Sequence, residues 1–139
     1  MQISNSTLLV ISSLIITSCA TTPSGQTFDS PVGVWNEKYK TMSGKTRSSE
    51  TTIVDNTSGT YILLSSGMQG RLVFTSTAEP LVWKGYWVLE SGSNPCSTEK
   101  DGSVYWGEQV MNFNETFNQF TGTWDNCGEG SKYSIKGVR

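Results

Sequence analysis

The chain has 139 residues, with ten Lys or Arg against twelve Asp or Glu and no histidine. A net charge of −2 spread over scattered residues does not suit the neutralisation of phosphates, so we expect no nucleic acid partner. The lack of histidine excludes Ser-His-Asp and Cys-His catalysis and every metal site that uses imidazole.

The first segment has the features of an export signal. An apolar run over residues 8–16 ends in Ile16-Thr17-Ser18-Cys19, which resembles the lipobox of bacterial lipoproteins. The run is shorter than the roughly 20 residues that span a bilayer as a helix. The resemblance implies that the signal helix 1–18 is removed and that Cys19 is acylated. A plain cleaved signal with an incidental cysteine is the alternative.

The residues after Cys19 bear on location. In lipoproteins of Gram-negative bacteria, an Asp at this position favours retention at the inner membrane. Ala20 stands there instead, so the resemblance implies a lipid anchor in the outer membrane of a bacterial envelope. The segment 19–30 is small and polar, which predicts a flexible tether between the membrane and a domain over residues 31–139.

The cysteine count supports export. Setting Cys19 aside leaves Cys96 and Cys127, which we expect to form one disulfide in an oxidising compartment. Two free thiols are the alternative. A redox-active pair would more often have Cys-x-x-Cys spacing.

From residue 31 onward, apolar residues recur with a period of two, and no window has the 3.6-residue period of an amphipathic helix. Clusters of Gly, Asn, Asp and Ser separate the alternating segments. The predicted strands cover residues 34–40, 49–54, 60–64, 71–77, 81–90, 107–114, 119–125 and 132–138.

Short strands with short connections predict an all-β fold in which sequence neighbours pair, as a sandwich or a barrel. We expect a small antiparallel up-and-down barrel of about eight strands, because closure removes exposed sheet edges. The sequence leaves open whether the interior is packed or contains a cavity.

Three short motifs carry a family resemblance. The Gly-x-Trp at residues 33–35 is similar to that of lipocalins, and the Phe-x-Gly-x-Trp at 120–124 with the Gly-x-Arg at 137–139 resembles small bacterial β-meander domains. In lipocalins the Trp of the first strand packs at the barrel base near a basic residue of the last strand. The resemblance therefore implies a lipocalin-like barrel in which Trp35 and Arg139 take these positions.

Aromatic residues are the candidate ligand site. Trp83, Tyr86 and Trp87 lie in one predicted strand, and Trp106 lies nearby in sequence. On the strand period, Trp83 and Trp87 point to one face and Tyr86 to the other. An exposed ring could stack on a sugar or anchor a partner protein, whereas core packing is the commoner role of Trp.

Catalysis is not expected. A barrel could bring Glu37 to Glu108, or Glu115 to Asp125, but strand carboxylates usually lie on the solvated face. The sequence has no Gly-x-Ser-x-Gly elbow, phosphate loop or dinucleotide motif. We expect neither an enzyme nor a bound cofactor or metal.

The sequence thus predicts a membrane-anchored lipoprotein with a non-catalytic barrel that binds an envelope protein or glycan. The alternative is a periplasmic enzyme inhibitor or immunity-type lipoprotein. An inhibitor would need a projecting segment, for which residues 20–29 and 91–102 are the candidates.

Overall fold

The computed structural model describes residues 25–130 and 132–139. The predicted signal helix 1–18, Cys19, Ala20 and the start of the tether lie outside the described residues. Within the described part, no helix is long and apolar enough to cross a membrane.

The described chain forms one closed barrel of eight antiparallel strands, in which each strand pairs with the next along the sequence. β1 and β8 close the barrel, with residue pairs from Asn36 and Val138 to Tyr39 and Ile135. The predicted all-β, up-and-down barrel is confirmed. The strands are β1 (Gly33–Lys40), β2 (Thr46–Ile53), β3 (Ser58–Leu63), β4 (Met68–Glu79), β5 (Val82–Leu89), β6 (Tyr105–Phe113), β7 (Gln119–Trp124) and β8 (Tyr133–Val138).

Strand bounds differ from the prediction where alternation is weak. β4 extends to Glu79 with register shifts after Phe74 and Ser76, so it continues past its apolar part into exposed residues. β2 begins at Thr46, in a polar stretch that carries no hydrophobic signal. Backbone pairing with a neighbouring strand, rather than side-chain burial, sets these ends.

One half of the barrel interior is packed with large side chains. We call this end, where β1 begins and β8 ends, the floor, and the opposite end the mouth. Trp35 is fully buried there and meets Phe120 edge to face, with ring centroids 5.3 Å apart. The buried core cluster contains Trp35, Ile53, Tyr61, Leu72, Phe74, Trp83, Met111, Phe113, Phe120 and Ile135.

Arg139 closes the floor. Its guanidinium carbon lies 3.8 Å from the ring centroid of Phe28 and 4.6 Å from that of Trp35. Its Nε donates a hydrogen bond of 2.6 Å to the Phe117 carbonyl, and its Nη2 donates to the Ser30 carbonyl. Arg139, at the end of the last strand, thus contacts Trp35 of β1 at the floor of the barrel.

Gly33 makes room for this stack. It has a φ of +134°, and a Cβ at this position would lie 2.8 Å from Nη1 of Arg139. Glycine at the start of the Gly-x-Trp motif therefore permits the positive φ of this residue and leaves space for the Arg139 side chain that closes the floor. Residues 25–30, which the sequence assigns to the tether, run along the floor, where the Phe28 amide donates to the Thr116 carbonyl at 2.9 Å.

The predicted disulfide between Cys96 and Cys127 is confirmed. Their Cα atoms lie 5.3 Å apart, and the bond joins the β5–β6 loop to the β7–β8 loop on the mouth side. Cys96 packs with Val88 and Trp106 in a second apolar cluster, separate from the barrel core. The long β5–β6 loop is thereby held against the outer face of β5 and β6.

Replacing both cysteines, in the variant Cys96→Ser/Cys127→Ser, should lower the free energy of unfolding by about 3–4 kcal/mol, because 31 residues separate the two ends of the cross-link. The near-ultraviolet circular dichroism of the buried rings should persist, since the disulfide lies outside the barrel core. Urea denaturation measures the change, and an unaltered midpoint would contradict the role assigned to the bond.

The control is Asp101→Asn, which removes the charge of the exposed ion pair between Asp101 and Arg71 (3.1 Å), suits the positive φ of this position and leaves the disulfide intact. We expect it to change the free energy of unfolding by less than about 1 kcal/mol.

Candidate functional site

The mouth-side half of the barrel interior contains a cavity of about 120 Å³. Half-buried side chains at the mouth ends of their strands, among them Tyr39, Leu63, Leu89 and Trp124, form part of its lining. The cavity therefore opens at the mouth, while the packed core and Arg139 close the other end.

Small and polar inward residues explain why this half is not filled. Glu37, Ser49, Thr51 and Gln109 all line the cavity and are all less than 9% exposed. Ser49 and Thr51 stand at inward positions of β2 where larger apolar side chains would fill the space. The sequence thus places a polar group of side chains inside the barrel, beside aliphatic walls from Leu63, Leu72, Leu89 and Ile135.

Glu37 is the central residue of this polar group. It is 4% exposed, and its Oε2 accepts a hydrogen bond of 2.8 Å from the Ser49 hydroxyl. Its Oε1 has no hydrogen-bond partner, and no other fully buried side-chain nitrogen or oxygen in residues 25–130 and 132–139 shares this condition. An unpaired buried polar atom costs about 1–3 kcal/mol, so this position is unfavourable in the isolated protein.

Burial raises the pKa of Glu37 from its ordinary value of 4.5 to about 7, and the hydrogen bond from Ser49 offsets only part of this effect. Among the described residues that line the cavity, none is Lys or Arg. The carboxylate therefore has no cationic neighbour within the cavity to compensate for its burial.

An aromatic wall faces the cavity. The Trp87 ring meets that of Trp124 edge to face at 6.0 Å, and Trp124 meets Tyr39 in the same way at 6.2 Å. The indole N–H of Trp87 donates to the Asp125 carbonyl and that of Trp124 to the Lys40 carbonyl, both at 3.0 Å. Because both indole donors are satisfied by the backbone, these rings offer π surface and apolar contact to a ligand.

The four aromatic residues singled out from the sequence are not brought together. Trp87 lines the cavity, whereas Trp83 is 6% exposed in the floor core and packs on Phe74. Trp106 is buried in the outer cluster and Tyr86 packs against that cluster, so both are separated from the cavity by the barrel wall. Whether any of the four binds a ligand stays a prediction.

The β5–β6 loop, a candidate projecting segment, lies against the barrel. Nζ of Lys100 is 4.6 Å from the ring centroid of Tyr86 and 4.2 Å from that of Trp106. Asp101 accepts a hydrogen bond of 3.1 Å from Arg71 of β4. Together with the disulfide, these contacts hold both the middle and the tip of the loop.

Neither of the two carboxylate pairs considered from the sequence, Glu37 with Glu108 and Glu115 with Asp125, forms in the structure. Glu37 faces the interior, while Glu108 is exposed on the outer face of β6. Asp125 is fully buried and accepts the backbone N–H groups of Glu108, Gly128 and Gly130, so it organises the β7–β8 loop, whereas Glu115 is exposed. Within the described ranges, no group of three or more carboxylates or cysteines is placed to hold a metal ion.

From the sequence, Glu37 is expected only as half of a possible acid–base pair with Glu108. The available signal was the alternation in residues 35–39, where Glu37 stands between Trp35 and Tyr39 on the face that those rings mark as inward. The segment 49–53 repeats this signal with Ser49 and Thr51 beside the buried Ile53. Polar residues in phase with a buried aromatic or aliphatic residue indicate a polar barrel interior.

Comparisons of the chain with protein-family models, with curated proteins and with solved structures found no match. The cavity presents one free carboxylate acceptor, hydroxyl and amide groups beside it, and a wall of π and aliphatic surface.

The raised pKa of Glu37 predicts how stability depends on pH. Between about pH 4.5 and pH 7 the folded state binds more protons than the unfolded state, so the free energy of unfolding falls as the pH rises through this window. Between pH 4.5 and pH 8, the free energy of unfolding of the wild type should fall by up to about 3 kcal/mol more than that of Glu37→Gln does. Each unit of pKa difference between the folded and unfolded states corresponds to about 1.36 kcal/mol. Urea denaturation at pH 4.5 and pH 8 measures the difference.

The matched control is Glu50→Gln, which makes the same change at an exposed position of the neighbouring strand β2. It should keep the wild-type pH dependence. Equal pH dependence in the wild type and in Glu37→Gln would contradict a raised pKa.

Proposed function

We propose that this protein is a non-catalytic binding module that takes a small ligand into the mouth-side cavity of its barrel and is anchored to a bacterial envelope membrane through acylated Cys19. The observation that carries the proposal is the unpaired Oε1 of Glu37, buried in a cavity that opens at the barrel mouth. A ligand group at this atom would supply the missing hydrogen bond.

The lining has the composition of a small-molecule site. Such sites are mainly apolar and aromatic, with a few placed polar groups that orient the ligand. Here four aromatic and four aliphatic side chains surround Glu37, Ser49, Thr51 and Gln109. The packed floor gives the cavity a rigid base, because its rings interlock edge to face.

The anchoring part of the proposal is supported by the lipobox-like Ile16-Thr17-Ser18-Cys19, and the outer membrane by Ala20. Residues 25–30 meet the barrel at its floor, through Phe28. The segment that would carry the anchor therefore joins the domain at the end opposite the mouth, which leaves the cavity open to ligands.

The alternative, an enzyme inhibitor, requires a segment that can enter an active site. Lys100 and Asp101 of the candidate loop are engaged with the barrel surface. We therefore base the proposal on the cavity rather than on this loop.

Cavity binding can be tested with benzyl alcohol as a neutral probe. Its addition should shift the indole N–H signals of Trp87 and Trp124 in NMR spectra, with a dissociation constant of about a millimolar or tighter for so small a ligand. The signals of Trp35 and Trp83 should stay in place, since both rings lie in the packed floor core.

Leu63→Trp should abolish these shifts because Leu63 lines the cavity. Leu64→Trp adds the same ring at the next residue, which is 58% exposed, and should bind as the wild type does. Shifts that persist in Leu63→Trp would place the probe elsewhere and contradict the proposal.

Membrane anchoring has its own test. Cys19→Ala should move the protein from the membrane fraction to the soluble fraction of the envelope, because stable anchoring depends on the acyl chains. The variant Cys96→Ser/Cys127→Ser, which keeps Cys19, should stay with the membrane. Membrane association that survives Cys19→Ala would show that the lipobox interpretation is wrong.

A further inference from the structure

The charges inside the barrel discriminate between ligand classes. Glu37 is the one carboxylate among the described residues that line the cavity, and no Lys or Arg accompanies it. An anionic ligand would place a second negative charge in a desolvated space without compensation, which is strongly unfavourable. A cation would instead neutralise the buried carboxylate, so the cavity selects positive charge.

The hydrogen-bonding groups specify the kind of cation. An ionised carboxylate only accepts hydrogen bonds, and Oε1 of Glu37 is free to do so. A primary ammonium group has three donors, of which one would satisfy Oε1. The Thr51 hydroxyl and the Gln109 amide line the same cavity and offer further acceptor oxygens. Hydrogen bonds between charged partners are the strongest of this kind.

The aromatic wall favours the same ligand. Rings within about 6 Å attract a cation through their π faces, most strongly when the site is desolvated. Tyr39, Trp87 and Trp124 form a continuous set of rings around the cavity, and the two indole donors are already occupied by backbone carbonyls.

The volume of the cavity limits the size of the apolar part of the ligand. An apolar cavity of about 150 Å³ holds benzene. The cavity of about 120 Å³ therefore takes an ammonium group with a short apolar body, such as a single ring, and its opening at the mouth gives a longer substituent a way out. Leu63, Leu72 and Leu89 provide the apolar contact for that body.

We propose that the cavity is a site for a small organic ammonium ion, with its N–H group on Oε1 of Glu37 and its apolar body against the aromatic and leucine wall. This assignment rests on the binding function proposed above and names its ligand class. At neutral pH, binding should also release a proton from the Glu37 carboxyl group to the solvent, because a bound cation favours the ionised carboxylate.

The test compares three probes of one shape and different charge: benzylammonium, benzyl alcohol and benzoate. Each is titrated at pH 8 into the wild-type protein, into Glu37→Gln and into the exposed control Glu50→Gln, with the Trp87 and Trp124 indole signals as the readout. Benzylammonium should bind the wild type at least about tenfold more tightly than benzyl alcohol does, a difference that one charge-assisted hydrogen bond supplies. Benzoate should cause no shift.

Glu37→Gln should lose the preference for benzylammonium while it still binds benzyl alcohol, and Glu50→Gln should keep the wild-type preference. Equal affinity of the wild type for benzylammonium and benzyl alcohol, or an unchanged preference in Glu37→Gln, would overturn the ammonium assignment and leave cavity binding in place. Failure of all three probes to shift either signal would overturn the binding function and the assignment with it.

Discussion

The stack of Arg139 between Phe28 and Trp35 closes one end of the barrel, and the division of the interior depends on it. A barrel of about eight strands has an interior just wide enough to be filled by side chains or to hold one small ligand. In this barrel, one half of the interior is filled by side chains and the other half contains the cavity. The floor half is filled by interlocking rings, which Gly33 permits by leaving space for the guanidinium, and the mouth half stays open.

Strand β1 passes through all of these environments. Its three inward side chains are Trp35 in the floor core, Glu37 in the cavity and Tyr39 at the mouth. Glu37, the middle one, lowers the stability of the fold. A buried carboxylate with one unpaired oxygen is costly, even though the other oxygen accepts a hydrogen bond from Ser49. Local features that oppose stability inside an otherwise consistent fold are expected at functional sites. Glu37 is the clearest such feature in the described residues.

Alternation along the strands sufficed to predict the barrel, and the cysteine count sufficed to predict the disulfide. The position of a residue along the barrel axis was not predictable in this way. Trp83 and Trp87 share a face of β5, but they are four positions apart, which is about 13 Å along a strand. Trp83 therefore lies in the packed core, whereas Trp87 lines the cavity. Trp106 points outward and is covered by the β5–β6 loop, a contact between distant segments that no local pattern encodes. The burial of Glu37 is not predictable from the sequence alone, because strand carboxylates usually face solvent.

Glu37 lies desolvated in the cavity with one carboxylate oxygen available to a ligand. Carboxyl ¹³C NMR measures its state directly, with the Glu37 resonance identified by its absence in Glu37→Gln. This carboxyl should titrate with a pKa of about 7, and saturating benzylammonium should lower this pKa. A pKa near the ordinary glutamate value of 4.5, unchanged by the probe, would contradict this position of Glu37.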